Sequence, residues 1–260
     1  MTDSGGIFDP TRLDRLATPP AWQLVADSLR RKIALGLYRP GDLLPSERQL
    51  AQGMGVSRIT VREALRVLQG ERLIEARRSN AGGAQVCTPR SRPADEVREE
   101  LRRERQRFLH IIDCRIANEG LAARLAAVHR TQAHLEMLAA TVPALAEASA
   151  ELERLAGDGG PGGGAGQAAV EFRRQDSIFH LTIAGIPGNP YLFRTVEWLR
   201  TEFFTPLDLL YRSRNRQDSA GEHAAILAAI REQNPDAAAE AMQRHIESTR
   251  LVMDRLLEGG

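Results

Sequence analysis

The sequence holds only two cysteines, Cys87 and Cys114, among 260 residues. That is too few for a disulfide framework, and such a pair most often remains as inert thiols in a reducing compartment. No stretch approaches 18 consecutive apolar residues, which excludes a membrane-spanning helix; the N-terminus also lacks a basic segment followed by an apolar core, which excludes a secretory leader. These absences predict a soluble, cytoplasmic protein with no membrane partner. A repeat of 20–50 residues is absent too, so a solenoid is excluded. Lysine is nearly missing: Lys32 stands alone among 35 basic residues. The arginine fork suits phosphates and base edges, although arginine bias also follows genome composition, and the count does not choose between the two causes.

Nor is there an overall excess of one charge. The formal net charge is +1, which for the whole chain is no nucleic-acid signature. The distribution differs from the average, because residues 21–90 carry 12 basic against 6 acidic side chains, whereas residues 171–260 carry 11 against 13. The basic charge therefore sits in the N-terminal third. A hydrophobic content of 42% beside 27% charged residues excludes wholesale disorder, and the length favours two domains over one.

What is present divides the chain accordingly. Residues 1–18 show no convincing period and read as a flexible tail closed by Thr18-Pro19-Pro20. Trp22, Val25, Leu29, Ile33 and Leu37 recur at three- and four-residue intervals, an amphipathic helix ending near Gly36. Ser46 can cap a second helix while Gln49 reaches back from the N3 position, and that helix stops within Gly53-Met54-Gly55. Ser57 serves as the next N-cap, and Val61, Leu65 and Leu68 form the apolar stripe of a third helix that ends near Gly70. Residues 73–76 and 84–86 look like short strands around a tip rich in Arg, Ser, Asn and Gly. The spacing thus predicts a winged helix-turn-helix over 19–90, with a polar break at Arg90-Ser91-Arg92-Pro93. An all-helical domain over 94–258 follows, with periodic segments at 95–128, 131–155, 168–184, 190–211, 219–233 and 236–257. The fold class is mainly α. The glycine run at 157–166 reads as an irregular surface insert.

Two short helices joined by a glycine turn set the second helix across a DNA major groove, and its first residues must then reach the bases. Those are Ser57, Arg58, Ile59, Thr60 and Arg62. Arginine forks onto guanine, serine and threonine bond phosphate or base edges, and the helix N-terminus favours phosphate. Arg48 stands ready for the backbone or groove edge, and Arg77 and Arg78 at the hairpin tip for phosphates or the minor groove. The same geometry also occurs in small bundles that bind no DNA. The run Pro45-Ser46-Glu47-Arg48 and the run Val56-Ser57-Arg58-x-Thr60-Val61-Arg62-Glu63-Ala64-Leu65 resemble the DNA-binding domain of the GntR family of bacterial transcription regulators. The resemblance implies DNA contact by Arg48, Ser57, Arg58, Ile59 and Arg62. The wing, Arg78-Ser79-Asn80-Ala81-Gly82-Gly83, departs from that family's basic-x-Gly-x-Gly hairpin.

In the helical part, Asp176 and His180 stand four residues apart and share a helix face. His223 lies on the apolar side of its helix with Ile226, Leu227 and Ile230, and His245 with Met242, Thr249 and Met253. Inward imidazoles need partners. A shared cation would satisfy several at once; separate hydrogen bonds or partial exposure would also serve. His110, His129 and His134 show no such convergence. Asp-x-x-x-His, the Gly188-Asn189-Pro190 turn, Glu222-His223-x-x-Ile226 and Arg244-His245 resemble the FCD effector-binding domain of the FadR branch of GntR regulators, an all-helical fold of six or seven helices. Arg115 and Glu119 match its first-helix Arg-x-x-x-Glu pattern.

The resemblance implies a divalent cation on Asp176, His180, His223 and His245. Three imidazoles and a carboxylate suit zinc, nickel, manganese or iron. It also leaves coordination positions for a small carboxylate effector, for which Arg115 is the candidate fork, unless it serves an intrahelical pair with Glu119. Arg173 and Arg174 flank the site in sequence. The expected protein is a homodimeric, ligand-responsive repressor of double-stranded operator DNA. A metalloenzyme fused to a DNA module is the alternative. It has only Glu222 as a nearby base and lacks a His-Glu-x-x-His motif. A third reading makes the metal itself the signal.

Overall fold

The computed structural model describes residues 18–77, 83–88, 94–157, 163–204 and 219–258. Most of the expected tail, the wing tip with Arg78, the break at 90–93 and the end of the helix expected to reach Tyr211 lie outside the described residues.

Three helices open the chain, α1 (Ala21–Ala34), α2 (Glu47–Met54) and α3 (Arg58–Gly70), followed by strands β1 (Ile74–Ala76) and β2 (Ala84–Val86). The caps form as the spacing predicts. Ser46 Oγ accepts from Gln49 N–H at 3.3 Å while the Gln49 side chain accepts from Ser46 N–H at 2.9 Å, so two otherwise unbonded amides at the start of α2 are satisfied together. Gly55 takes the left-handed conformation that closes α2, at φ 65, where a side chain would be strained. Ser57 then caps α3 by accepting from Thr60 N–H at 3.1 Å. β1 and β2 pair antiparallel with Ile74 opposite Val86. Val25, Leu29, Leu50, Val61, Leu68, Ile74 and Val86 bury one apolar cluster beneath this unit. Burial of each such side chain is worth roughly 1.5–3 kcal/mol, which holds α3 to its neighbours.

Six helices follow among the described residues: α4 (Ala94–His129), α5 (Gln132–Gly157), α6 (Gly163–Gly185), α7 (Pro190–Phe204), α8 (Ser219–Arg231) and α9 (Pro235–Glu258). They enclose a second core that includes Phe108, Ile112, Leu138, Phe172, Phe179, Val196, Phe203, Ile226, Ile230 and Ile246. The expectation that glycines bar regular structure through 166 is corrected here, because α6 begins at Gly163. A first helical turn needs no intrahelical bond for its own amides, so glycine's cost of about 1 kcal/mol per interior residue is tolerated where Ala168, Ala169 and Val170 continue the helix.

The two units touch. Leu35, just after α1, is fully buried in the core of the helical domain. Gly36 follows at φ 73, and a Cβ there would stand 3.3 Å from the backbone nitrogen of Arg174 in α6. Arg31 pairs with Glu197 of α7 at 3.4 Å and Arg39 with Glu171 of α6 at 3.7 Å. The N-terminal unit is therefore seated on α6 and α7.

Candidate functional site

Asp176 and His180 on α6, His223 on α8 and His245 on α9 converge in the interior, each with a ligand atom within 4.8 Å of the others'. All four residues are buried. His180 Nε2 lies 3.2 Å from His245 Nε2, and Asp176 Oδ1 lies 3.2 Å from His223 Nε2 and 3.7 Å from His180 Nε2. The outer nitrogens are held by other partners. His180 Nδ1 donates to Glu119 Oε2 at 2.5 Å, His245 Nδ1 to Glu222 Oε2 at 2.8 Å, and His223 Nδ1 to the Ser219 carbonyl at 2.5 Å. Since a carboxylate or carbonyl oxygen only accepts, these partners assign the proton to Nδ1 and leave each Nε2 with an inward lone pair.

That arrangement fits a cation. Two lone pairs facing each other at 3.2 Å repel, and the buried His223 Nε2 finds no hydrogen bond of acceptable geometry. A positive ion at the common point would satisfy all three nitrogens and Asp176, while the outer acceptors hold each ring in orientation. Burial, then the Arg200 guanidinium, pushes the His180 imidazole down to about 3, and burial followed by His223 lowers His245, so both are neutral ligands near pH 7. Burial works to raise the carboxyls of Asp176 and Glu119, but the surrounding guanidinium groups and imidazoles outweigh it and hold both below the usual carboxylate range.

The acidic partners complete a buried charge network. Glu119 accepts from Arg115 Nε at 2.6 Å and from Arg200 Nη1 at 3.3 Å as well as from His180. Arg115 thus makes the intrahelical pair, and its guanidinium stacks over Phe203 at 4.8 Å. Arg200 was missed by sequence reasoning. It sits at the helical spacing of Val196, Leu199 and Phe203, so an arginine inside an apolar stripe was the available signal. Glu222 is committed to His245 Nδ1 and to Ser248 Oγ, the latter at 3.1 Å, and not to a water-activating position. His110, His129 and His134 stand apart from the cluster: His110 is bonded to Gln106, and His134 closes the first turn of α5 with Thr131. Arg173 is buried, and Arg174 pairs with Glu171.

On the other unit Arg48, Ser57, Arg58, Ile59 and Arg62 are exposed and Thr60 half-buried. Ile59 keeps 76% of its surface in solvent, unusual for an isoleucine in a well-packed helix. Ser57 spends its hydroxyl on the α3 cap and on Thr60 Oγ1. Arg58 and Arg62 share one carboxylate oxygen of Glu47, at 3.7 and 3.2 Å. Arg77 is exposed at the described edge of the wing.

Two family profiles match separate stretches of the chain. The profile of the bacterial regulatory proteins of the gntR family matches residues 22–82, and that of the FCD domain residues 110–248. The chain is similar to the HTH-type transcriptional repressor NanR of Escherichia coli strain K12, with 31% identity over 244 residues, covering 90% of this chain and 84% of that protein. NanR of Edwardsiella tarda is likewise 31% identical, with 93% of each chain covered. Among solved structures, the chain resembles Streptococcus agalactiae GntR at 26% identity with a TM-score of 0.43, covering 88% of this chain and 99% of the other.

Proposed function

The chain belongs to the GntR family of bacterial transcription regulators and carries its FCD domain, and from that premise we propose that it is a homodimeric repressor that senses a small carboxylate through a divalent cation. The family is one of regulators, not enzymes. The observation that carries the sensing half is the meeting of three imidazole nitrogens and one carboxylate oxygen at a single buried point. Asp176, His180, His223 and His245 would hold the ion, which would supply a Lewis-acidic anchor for an anion. Zinc, nickel, manganese and iron all suit such donors.

Charge supports an anionic effector. Without a cation the buried carboxylates of Asp176 and Glu119 balance the guanidinium groups of Arg115 and Arg200. A divalent ion makes that interior cationic, offset in part by Glu222. A small carboxylate restores balance, its desolvation cost offset by the ion and the guanidinium groups it would face. Arg115 remains the candidate fork, since its bond to Glu119 engages Nε.

For the DNA half, Arg48, Ser57, Arg58, Ile59, Thr60 and Arg62 form the surface assigned to the operator. Arg58→Ala should weaken a cognate site by roughly 1–3 kcal/mol while changing random DNA little. Fluorescence anisotropy on cognate and scrambled duplexes checks this, and equal losses on both demote Arg58 to a phosphate contact. Two half-sites call for two chains. Exposed Leu121 on α4 and exposed Tyr191 and Trp198 on α7, two helices that pack together, support a dimer face. Sedimentation equilibrium tests it, and a monomer at micromolar concentration counts against it.

The contact of Gly36 with α6 supplies a route between the halves, because Arg174 lies two residues before Asp176 and Glu197 three before Arg200. An effector shifts the operator equilibrium only by its differential binding to the two arrangements, roughly 1–3 kcal/mol in such switches. Gly36→Ala, strained by φ and by the Arg174 backbone, should leave metal content intact and reduce the metal-dependent change in operator affinity several-fold. Unchanged coupling in that variant would move the route elsewhere.

A further inference from the structure

Arg200 has no exposed surface, yet it touches both halves of the ligand-holding apparatus. Its Nη2 donates to Asp176 Oδ2 at 2.5 Å, and its Nη1 to Glu119 Oε2, the same oxygen that takes the His180 Nδ1 proton. The guanidinium carbon lies over the Phe204 ring, 4.9 Å from its centroid. Asp176 is thereby divided: Oδ2 belongs to Arg200, and Oδ1 faces the imidazoles of His223 and His180. Burial of a full positive charge is costly, and no packing need calls for one here; an apolar residue at this position of α7 would continue the stripe of Val196, Leu199 and Phe203.

We propose that Arg200 is a positioning residue that restricts Asp176 to one inward oxygen and keeps the centre positively charged, so that an anion rather than a second carboxylate oxygen completes it. The inference rests on the metal-centre reading of Asp176, His180, His223 and His245. Two consequences have opposite signs. A buried guanidinium beside the centre repels a cation and draws charge from Asp176, so Arg200 weakens metal binding. The same charge attracts an anion to the loaded centre. A residue that merely kept the fold in shape would, when removed, weaken both.

The test uses the full chain with Co2+ as the metal probe and citrate as the anion probe. Co2+ binding is followed by its visible absorption, whose intensity reports coordination number, and citrate affinity by thermal shift and calorimetry on the Co2+-loaded protein. Arg200→Met should bind Co2+ at least as tightly as the wild type, on the order of tenfold tighter, and citrate on the order of tenfold more weakly, the factor set by about one pK unit of differential interaction. Its Co2+ spectrum should move toward higher coordination as Asp176 Oδ2 becomes available. Arg200→Lys keeps the charge without the fork; it should retain most citrate affinity with an altered Co2+ spectrum, and it carries the test if the methionine variant does not fold. Parallel loss of Co2+ and citrate affinity in Arg200→Met overturns the proposal, as does a wild-type spectrum and citrate affinity in Arg200→Lys. A wild-type chain that takes up no Co2+ overturns the metal-centre reading itself, and the proposal with it.

Discussion

Glu119→Gln should lower the unfolding free energy of the metal-free protein by about 3–5 kcal/mol, the usual consequence of removing one partner from a buried ion pair. Glu119 is buried and faces Arg115 and Arg200, so neutralising it leaves two interior cations balanced by Asp176 alone. Urea unfolding in the presence of chelator measures the loss, and a change under about 1 kcal/mol would place these guanidinium groups in effective contact with water. Acid sensitivity follows from the same contacts. Glu119 and Asp176 are held below their ordinary values of 4.5 and 3.8, so the folded chain binds fewer protons than the unfolded one as pH falls through that range. His180, lowered to about 3 from 6.5, and His245, also lowered from 6.5, act in the same direction from higher pH. Stability is then full above pH 6.5, declines below it as unfolded histidines take up protons, and declines more steeply below 4.5 as unfolded carboxyls do. In Glu119→Gln the steep acid limb should be shallower by as much as one proton.

His223→Ala should abolish stoichiometric metal binding, with an affinity loss of at least about 100-fold, beyond the 10–100-fold typical of losing an outer partner alone. Of the four clustered side chains His223 is the one on α8, and its ring touches Phe179 and His245 at centroid distances of 4.8 and 4.4 Å. Metal stabilises the folded state by mass action, about 2.7 kcal/mol when the free ion is 100 times its Kd, so the rise in melting temperature on adding metal should vanish. Elemental analysis and thermal shift on the wild type and His223→Ala decide it. His110→Ala, altering an exposed imidazole outside the cluster, is the control that should retain full metal content. Equal metal content in both variants would show that the four side chains do not act as one centre.

Much of the DNA-reading unit was legible along the chain because its determinants are local. The Ser46–Gln49 box, the Ser57 cap and the Gly55 turn each involve residues within a few positions of one another, and such contacts are set by backbone geometry whatever packs above them. The start of α6 was not legible, since Gly163, Gly164 and Gly166 read as part of a break and only the helix beyond them makes them helical. The Asp176–His180 pair was visible as one helical turn, and the apolar surroundings of His223 and His245 marked both as inward-facing.

What the amino-acid order determined by itself was therefore the helices of the N-terminal unit, the caps of α2 and α3, and the faces that His180, His223 and His245 occupy. Only the tertiary structure decided what those faces meet. His180 reaches Glu119 across 61 residues and His245 across 65, and Arg200 reaches Glu119 across 81. Side-chain periodicity fixes direction about one helix axis, but the crossing of α4, α6, α7, α8 and α9 depends on how all their apolar faces are buried together. For that reason Glu119 read as a helix partner of Arg115 and Arg200 drew no notice, while the folded core makes both of them the supports of the imidazole cluster.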